Sequence, residues 1–156
     1  MNRSPLALLA LSFAGASVGC AWTSNIALYR LWTLIPPTVF PEYQTTHALH
    51  FVPVAAIIGI PNALLALLVA RRSSSTTGRW LLWVGALLAL VPWIATPLYF
   101  VPLQDQLRVS GPTTALVSQL VRADLVLRTV PPTIQLSIVL WAALQTPQHT
   151  RTFRHS

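Results

Sequence analysis

Lysine is missing from this chain, acidic residues number three, and there is one cysteine. Each scarcity excludes something. A single cysteine, Cys20, rules out an internal disulfide and any Cys-x-x-Cys redox or zinc site, and with them the thiol–disulfide chemistry of some membrane enzymes. Charged residues make up 8% of the 156, against roughly 25% in a soluble domain. So little charge cannot clothe a water-facing surface, and with 54% hydrophobic residues the solvent for most of the chain is lipid. There is no repeat at a period of about 20–50 residues, no phosphate-binding glycine loop, no G-x-S-x-G and no H-E-x-x-H. Nucleotide binding and standard hydrolase chemistry therefore have no support.

What is present is four apolar runs, each near the length of about 20 residues that a span needs. They predict one all-α domain: an integral-membrane four-helix bundle with proline-kinked spans at about 6–30, 43–70, 80–103 and 125–145, and a flexible tail at 146–156. The first run could be a signal peptide, with Arg3 ahead of it and Ser17-Val18-Gly19-Cys20 loosely like a lipoprotein cleavage site. It continues past Cys20 to Leu28 without a polar break, so retention is expected. Its Gly15-x-x-x-Gly19 motif reads as close packing inside the bundle rather than as a homodimer seam. Pro36-Pro37 must break the helix, and Pro41 suits the first turn of the next. Pro92, Pro97 and Pro102 predict a third span that is bent or broken and lines something. Gln104–Leu127 reads as mixed, with a turn at Ser110-Gly111-Pro112 and an interfacial helix leading into the last span.

All ten basic residues are arginine and fall between or beside the runs, which suits topology signalling better than nucleic-acid binding. With the N-terminus inside, Arg3, Arg71, Arg72, Arg79, Arg151 and Arg154 lie inside and Arg30, Arg108, Arg122 and Arg128 outside. Six against four predicts both termini in the cytoplasm. The acids Glu42, Asp105 and Asp124 then fall at the outer end.

The densest chemistry lies at that end, in Phe40–Phe51. Tyr43 and His47 are four residues apart, His47 and His50 three, so all lie on or near one helical face. Asp124 and Arg128 are four apart, and Gln135 lies seven beyond Arg128, on its face if the helix runs straight. Trp22, Asn25 and Tyr29 share a face of the first span, and Gln104 and Asp105 close the third. Ionisable residues at membrane depth are costly, so such a set is a candidate site. Each member has a structural alternative: His47 or His50 bonding a backbone carbonyl, Arg128 in an ordinary ion pair with Asp124, Trp22 and Tyr29 as an interfacial belt. As chemistry, His47 is a candidate base, Tyr43 a hydrogen-bond donor and Arg128 an anion stabiliser, with Trp22, Asn25, Tyr29, His50, Gln104, Asp124 and Gln135 around the substrate. The ligand class is a lipophilic carbonyl or phenol entering from the bilayer. A metal held by His47 and His50 with Glu42 or Asp124 is the competing idea, without a recognised motif.

Three segments resemble a four-span membrane family that includes fungal anthrone oxygenases. They are Phe40-Pro41-Glu42-Tyr43-Gln44-Thr45-Thr46-His47, Val101-Pro102-Leu103-Gln104-Asp105-Gln106-Leu107, and Leu120-Val121 with Asp124 and Arg128-Thr129. Gln104 stands where the family has His, and Asp124 is one position out of register from its Asn. The resemblance implies a cofactor-independent or weakly cofactor-dependent, oxygenase-like tailoring enzyme with no cofactor assigned, in which a base ionises a phenolic ketone and the carbanion itself reduces oxygen. The alternative is a carrier or accessory subunit binding a lipophilic ligand; four spans without a repeat would then need a homo-oligomer.

Overall fold

The computed structural model describes residues 5–73 and 76–145. The tail predicted at 146–156 lies outside the described residues, as does Arg3. Four helices, Pro5–Leu34, Phe40–Arg72, Gly78–Ser110 and Thr114–Gln145, are each long and apolar enough to cross a membrane. They are called the first to fourth helix below. The first and third each pack against the second and fourth, closing a four-helix bundle. This is the architecture of a multi-pass membrane protein. The end carrying residues 35–39 and 111–113, opposite the two ends of the described chain, is called the distal end.

The distribution of side chains is inverted relative to a soluble protein. In the second helix Leu49, Val52, Ile57, Ile60 and Leu64 are exposed, while Ala63, Ala66 and Ala70 are buried. Lipid gives large apolar groups no reason to turn inward, and small residues let helix backbones approach. The half of the bundle away from the distal end is accordingly closed by Ala63, Ala66, Ala86 and Ala89. The distal half is closed by an aromatic core of Tyr29, Trp32, Phe40 and Phe100 with Leu103, Leu107, Val117 and Leu120. Gly15 and Gly19 do not contribute: a Cβ added to either would meet nothing within 4 Å. The expected packing of that motif inside the bundle is therefore overturned. Ala10 and Ala14, one turn earlier on another face, are the buried small residues.

The helices differ from the apolar runs in extent. The third runs unbroken through Pro92, Pro97 and Pro102, and the interfacial stretch expected to lead into the last span is continuous with it as one fourth helix. Continuity is kept by widened turns. Ser24–Leu28, Thr96–Phe100 and Leu125–Thr129 are π-helical. In the third and fourth helices the widened turn closes through the N–H of Val101 or Val130, immediately before Pro102 or Pro131. A proline lacks an N–H and its ring collides with the carbonyl four residues back, so one extra residue in the preceding turn relieves both.

The distal loops are set by local chemistry. Ile35 is extended (ψ 126°), as a residue before proline must be, and ends the first helix. Pro41 occupies the first turn of the second helix, and Thr113 caps the fourth by accepting from the Leu116 N–H. Gly111 has φ 77° and ψ 170°, a backbone region kept for glycine. A Cβ there would lie 3.1 Å from Pro37 Cβ, so this glycine also lets the two distal loops touch. Gly111→Ala is expected to lower stability by about 1–3 kcal/mol, read as an earlier thermal midpoint in detergent. An unchanged midpoint would show that the loops are free to shift.

Candidate functional site

All three π turns deliver polar side chains to one place. The first supplies Asn25, the second Thr96 and Phe100, the third Arg128 and Thr129. Asp124, directly before the third, is buried at the centre. Its Oδ2 accepts from Asn25 Nδ2 at 3.0 Å and from Thr129 Oγ1 at 3.3 Å, while Oδ1 faces Arg128 Nη1 at 3.8 Å. Asn25 Nδ2 also donates to the Val121 carbonyl at 2.8 Å. Arg128 donates through Nη1 to the Tyr29 hydroxyl at 3.3 Å and through Nη2 to Thr96 Oγ1 at 2.7 Å. Its Cζ lies 3.8 Å from the Phe100 ring centre, a cation–π contact that holds the guanidinium flat. The cation is thus fixed by three helices and partly neutralised. A guanidinium has five N–H donors in a fixed fork, and the two hydrogen bonds formed leave donors for a ligand.

Arg128 and Asp124 line a cavity of about 370 Å³ to which all four helices contribute. Its wall on the second helix follows one face: Gln44, His47, Phe51, Ala55, Gly59 and Asn62 among others. The cavity reaches the surface beside Val52 and Trp93 and, nearer the distal end, beside Val101 and Arg108; all four line it and are exposed. Trp93 packs against Gly59 so closely that a Cβ there would come within 2.7 Å of the indole. Most of the lining is apolar, with the polar groups gathered toward the distal end.

His47 is held by ring packing alone. It stacks on Phe51 at 5.0 Å and on Tyr43 at 6.2 Å, and meets the edge of Trp32 at 5.6 Å. Neither ring nitrogen has a hydrogen-bond partner among the described residues. Trp32 in turn packs on Tyr29 at 5.0 Å, and the Tyr29 hydroxyl accepts from Arg128. The imidazole and the guanidinium therefore lie two packed rings apart on the same cavity. Gln44 is buried; its Nε2 donates to the Gln104 carbonyl at 3.1 Å, while its Oε1 has no partner.

The residues anticipated from sequence divide. His47, Arg128, Asp124, Tyr29 and Gln104 line the cavity, and Asn25 holds Asp124. Tyr43 packs parallel to His47 instead of hydrogen-bonding to it, and is outside the lining. His50 is exposed and turned off the cavity face, because at 3.6 residues per turn it lies about 120° around the helix from Gln44, whereas His47, Phe51 and Ala55 stay within about 60° of it. Trp22 lies outside the cavity, donating from Nε1 to Thr133 Oγ1 at 3.2 Å. Gln135 faces Asn62, not Arg128: the widened turn at Leu125–Thr129 means that seven residues no longer make two turns. Among the described residues no three His, Cys, Asp or Glu side chains converge as metal ligands. Gln44 and Thr96 are cavity residues outside the anticipated set, and an uncharged amide or hydroxyl gives little signal beside charged neighbours.

The Asn62 and Gln135 amides exchange two hydrogen bonds, both 2.9 Å, and pin the second helix to the fourth beneath the cavity. Asn62→Leu would orphan the Gln135 amide and is expected to cost about 1–2 kcal/mol, with the Asn62→Leu/Gln135→Leu double variant recovering most of it. Unfolding midpoints of these two variants and of Gln135→Leu alone would check this, and additive losses would show that the pair is not coupled.

No protein-family model matches the chain, and no curated protein or solved structure is significantly similar to it.

Proposed function

We propose that this protein is a small membrane enzyme that takes a lipophilic carbonyl or phenolic compound from the bilayer and acts on it by acid–base chemistry. The observation that carries the reading is an imidazole with both nitrogens unpartnered, on the same lipid-accessible cavity as a fixed guanidinium. A ligand enters beside Val52 and Trp93 and lays its apolar body along the second helix. Its oxygen meets the remaining N–H groups of Arg128. His47 then takes a proton from the carbon alpha to that carbonyl, or from the phenolic hydroxyl itself, and Arg128 stabilises the enolate or phenolate formed. Tyr29, Thr96 and Asp124 hold Arg128 in place, so the stabilising charge is set before the ligand arrives.

The motif resemblance extends this to oxygen chemistry, in which the ionised substrate itself reduces dioxygen without a cofactor. Gln104, in place of the family's His, cannot act as a base, which leaves His47 to do so. The arginine distribution supports an orientation with both termini in the cytoplasm, in which the cavity opens in the outer half of the bilayer. A carrier of the same ligands is the second reading, favoured by the mouth at Val52 and Trp93; the free imidazole favours chemistry. The test is a reconstituted preparation given a panel of phenolic ketones, with oxygen uptake and exchange of the acidic proton measured for wild type and His47→Ala. Exchange that depends on His47 is expected, and oxygen uptake with it marks an oxygenase. Binding without either reaction overturns the enzyme in favour of the carrier.

A further inference from the structure

The cavity is not the only hollow. A shallow groove of about 460 Å³ lies on the outer surface of the distal half, between the third and fourth helices. Its floor is one face of the fourth helix, Ala115, Ser118, Gln119, Arg122 and Val126, and its other wall is Tyr99 from the π turn of the third. Gln119 Nε2 donates to the Tyr99 hydroxyl at 3.1 Å, which ties the two walls. The hollow exists because Ala115 and Ser118 are small where their neighbours along the helix are larger.

Arg122 is exposed in this groove, and both ion pairs among the described residues, Asp105 with Arg108 and Asp124 with Arg128, belong to other arginines. Its depth matters. The fourth helix has 32 residues, about 48 Å at 1.5 Å per residue, against a hydrocarbon layer of about 30 Å. If the helix is centred, each end projects by about 9 Å, and Arg122, eight residues in from Thr114, lies roughly 3 Å inside the hydrocarbon edge. An unpaired guanidinium at that level wants an anion, and the anions at that level are lipid phosphates. Below Arg122 the groove turns apolar at Val126, which suits an acyl chain.

We infer that this groove is a binding site for one anionic phospholipid, its phosphate on Arg122 with Ser118 beside it and an acyl chain running past Val126. The site is separate from the cavity and does not depend on the function proposed for it.

The test uses the full chain in nanodiscs or mixed micelles and measures retention of phosphatidylglycerol against phosphatidylcholine by native mass spectrometry. Wild type is expected to prefer the anionic lipid, and Arg122→Gln to reduce that preference about fivefold, the worth of one basic residue at the membrane surface. Ala115→Phe, which fills the groove and leaves the charge in place, is expected to do the same. Arg30→Gln removes an exposed arginine of the same end, outside the groove, and is expected to leave the preference unchanged. The inference is overturned if Arg122→Gln has no effect, if Arg30→Gln has an equal one, or if Ala115→Phe leaves the preference intact. Displacement of the lipid by millimolar inorganic phosphate would also overturn it, by assigning the site to a soluble phosphate.

Discussion

Asp124→Asn should be among the most damaging single substitutions in this protein, lowering stability by about 3 kcal/mol or more, because it breaks a buried ion pair from one side only. The change is nearly isosteric, so packing is not its cause. The Asp124 carboxylate accepts from Asn25 and Thr129 on one oxygen and faces Arg128 on the other. An amide in its place sets a donor against a donor, and leaves a guanidinium at membrane depth with no counter-charge. Arginine cannot shed its proton. The Tyr29 hydroxyl, Thr96 Oγ1 and the Phe100 ring remain around it, all uncharged. Arg128→Met should cost less, since a carboxyl group without its cation can take up a proton and keep its bonds to Asn25 and Thr129. The double variant Asp124→Asn/Arg128→Met should be more stable than Asp124→Asn alone. Unfolding midpoints in mixed micelles rank the three. If Arg128→Met proves the worst, the aspartate is not there to balance the arginine, and the pair has been read backwards.

The second large effect concerns the proposed reaction. His47→Phe keeps an aromatic ring between Tyr43 and Phe51 while exchanging the imidazole and its two nitrogens for a slightly larger hydrocarbon ring. Turnover should fall by about 10²–10⁴-fold, the usual contribution of a positioned general base, while ligand affinity changes by only a few fold. Tyr43→Phe is the comparison. Its hydroxyl is outside the cavity lining and its ring makes the contact, so turnover should stay within a few fold of wild type. Rates for both variants on the same substrate decide the matter. A His47→Phe protein that turns over as wild type does would remove the base, and a Tyr43→Phe protein that fails alongside it would return Tyr43 to the chemistry.

The bundle was legible because its signals are coarse: run length, hydropathy and the arginines between runs. The charged and aromatic members of the candidate site were legible for a related reason, since Arg128, Asp124, His47 and Tyr29 stand out in apolar surroundings. What could not be read was direction. A glycine motif shows that two helices can approach, not which face is covered, and Gly15 and Gly19 turned out to face open space. The π turns were equally hidden. Nothing in Leu125–Thr129 marks an extra residue per turn, yet that residue sends Gln135 to Asn62 and away from Arg128. Gln44 carries no such signal, because an amide at a helix start is as compatible with solvent as with burial. Only the tertiary structure shows it buried, with one oxygen unpartnered.

The exposure of Leu49, Ile57 and Leu64 over a seam of alanines has a calorimetric consequence. The heat-capacity rise of ordinary unfolding comes from apolar surface meeting water. If these helices separate inside a bilayer, the alanines and the aromatic core meet hydrocarbon instead. The bundle would then come apart with a small heat-capacity change and a nearly straight dependence of stability on temperature. What holds it against warming is the enthalpy of its packed contacts and a few polar clasps, not the release of ordered water.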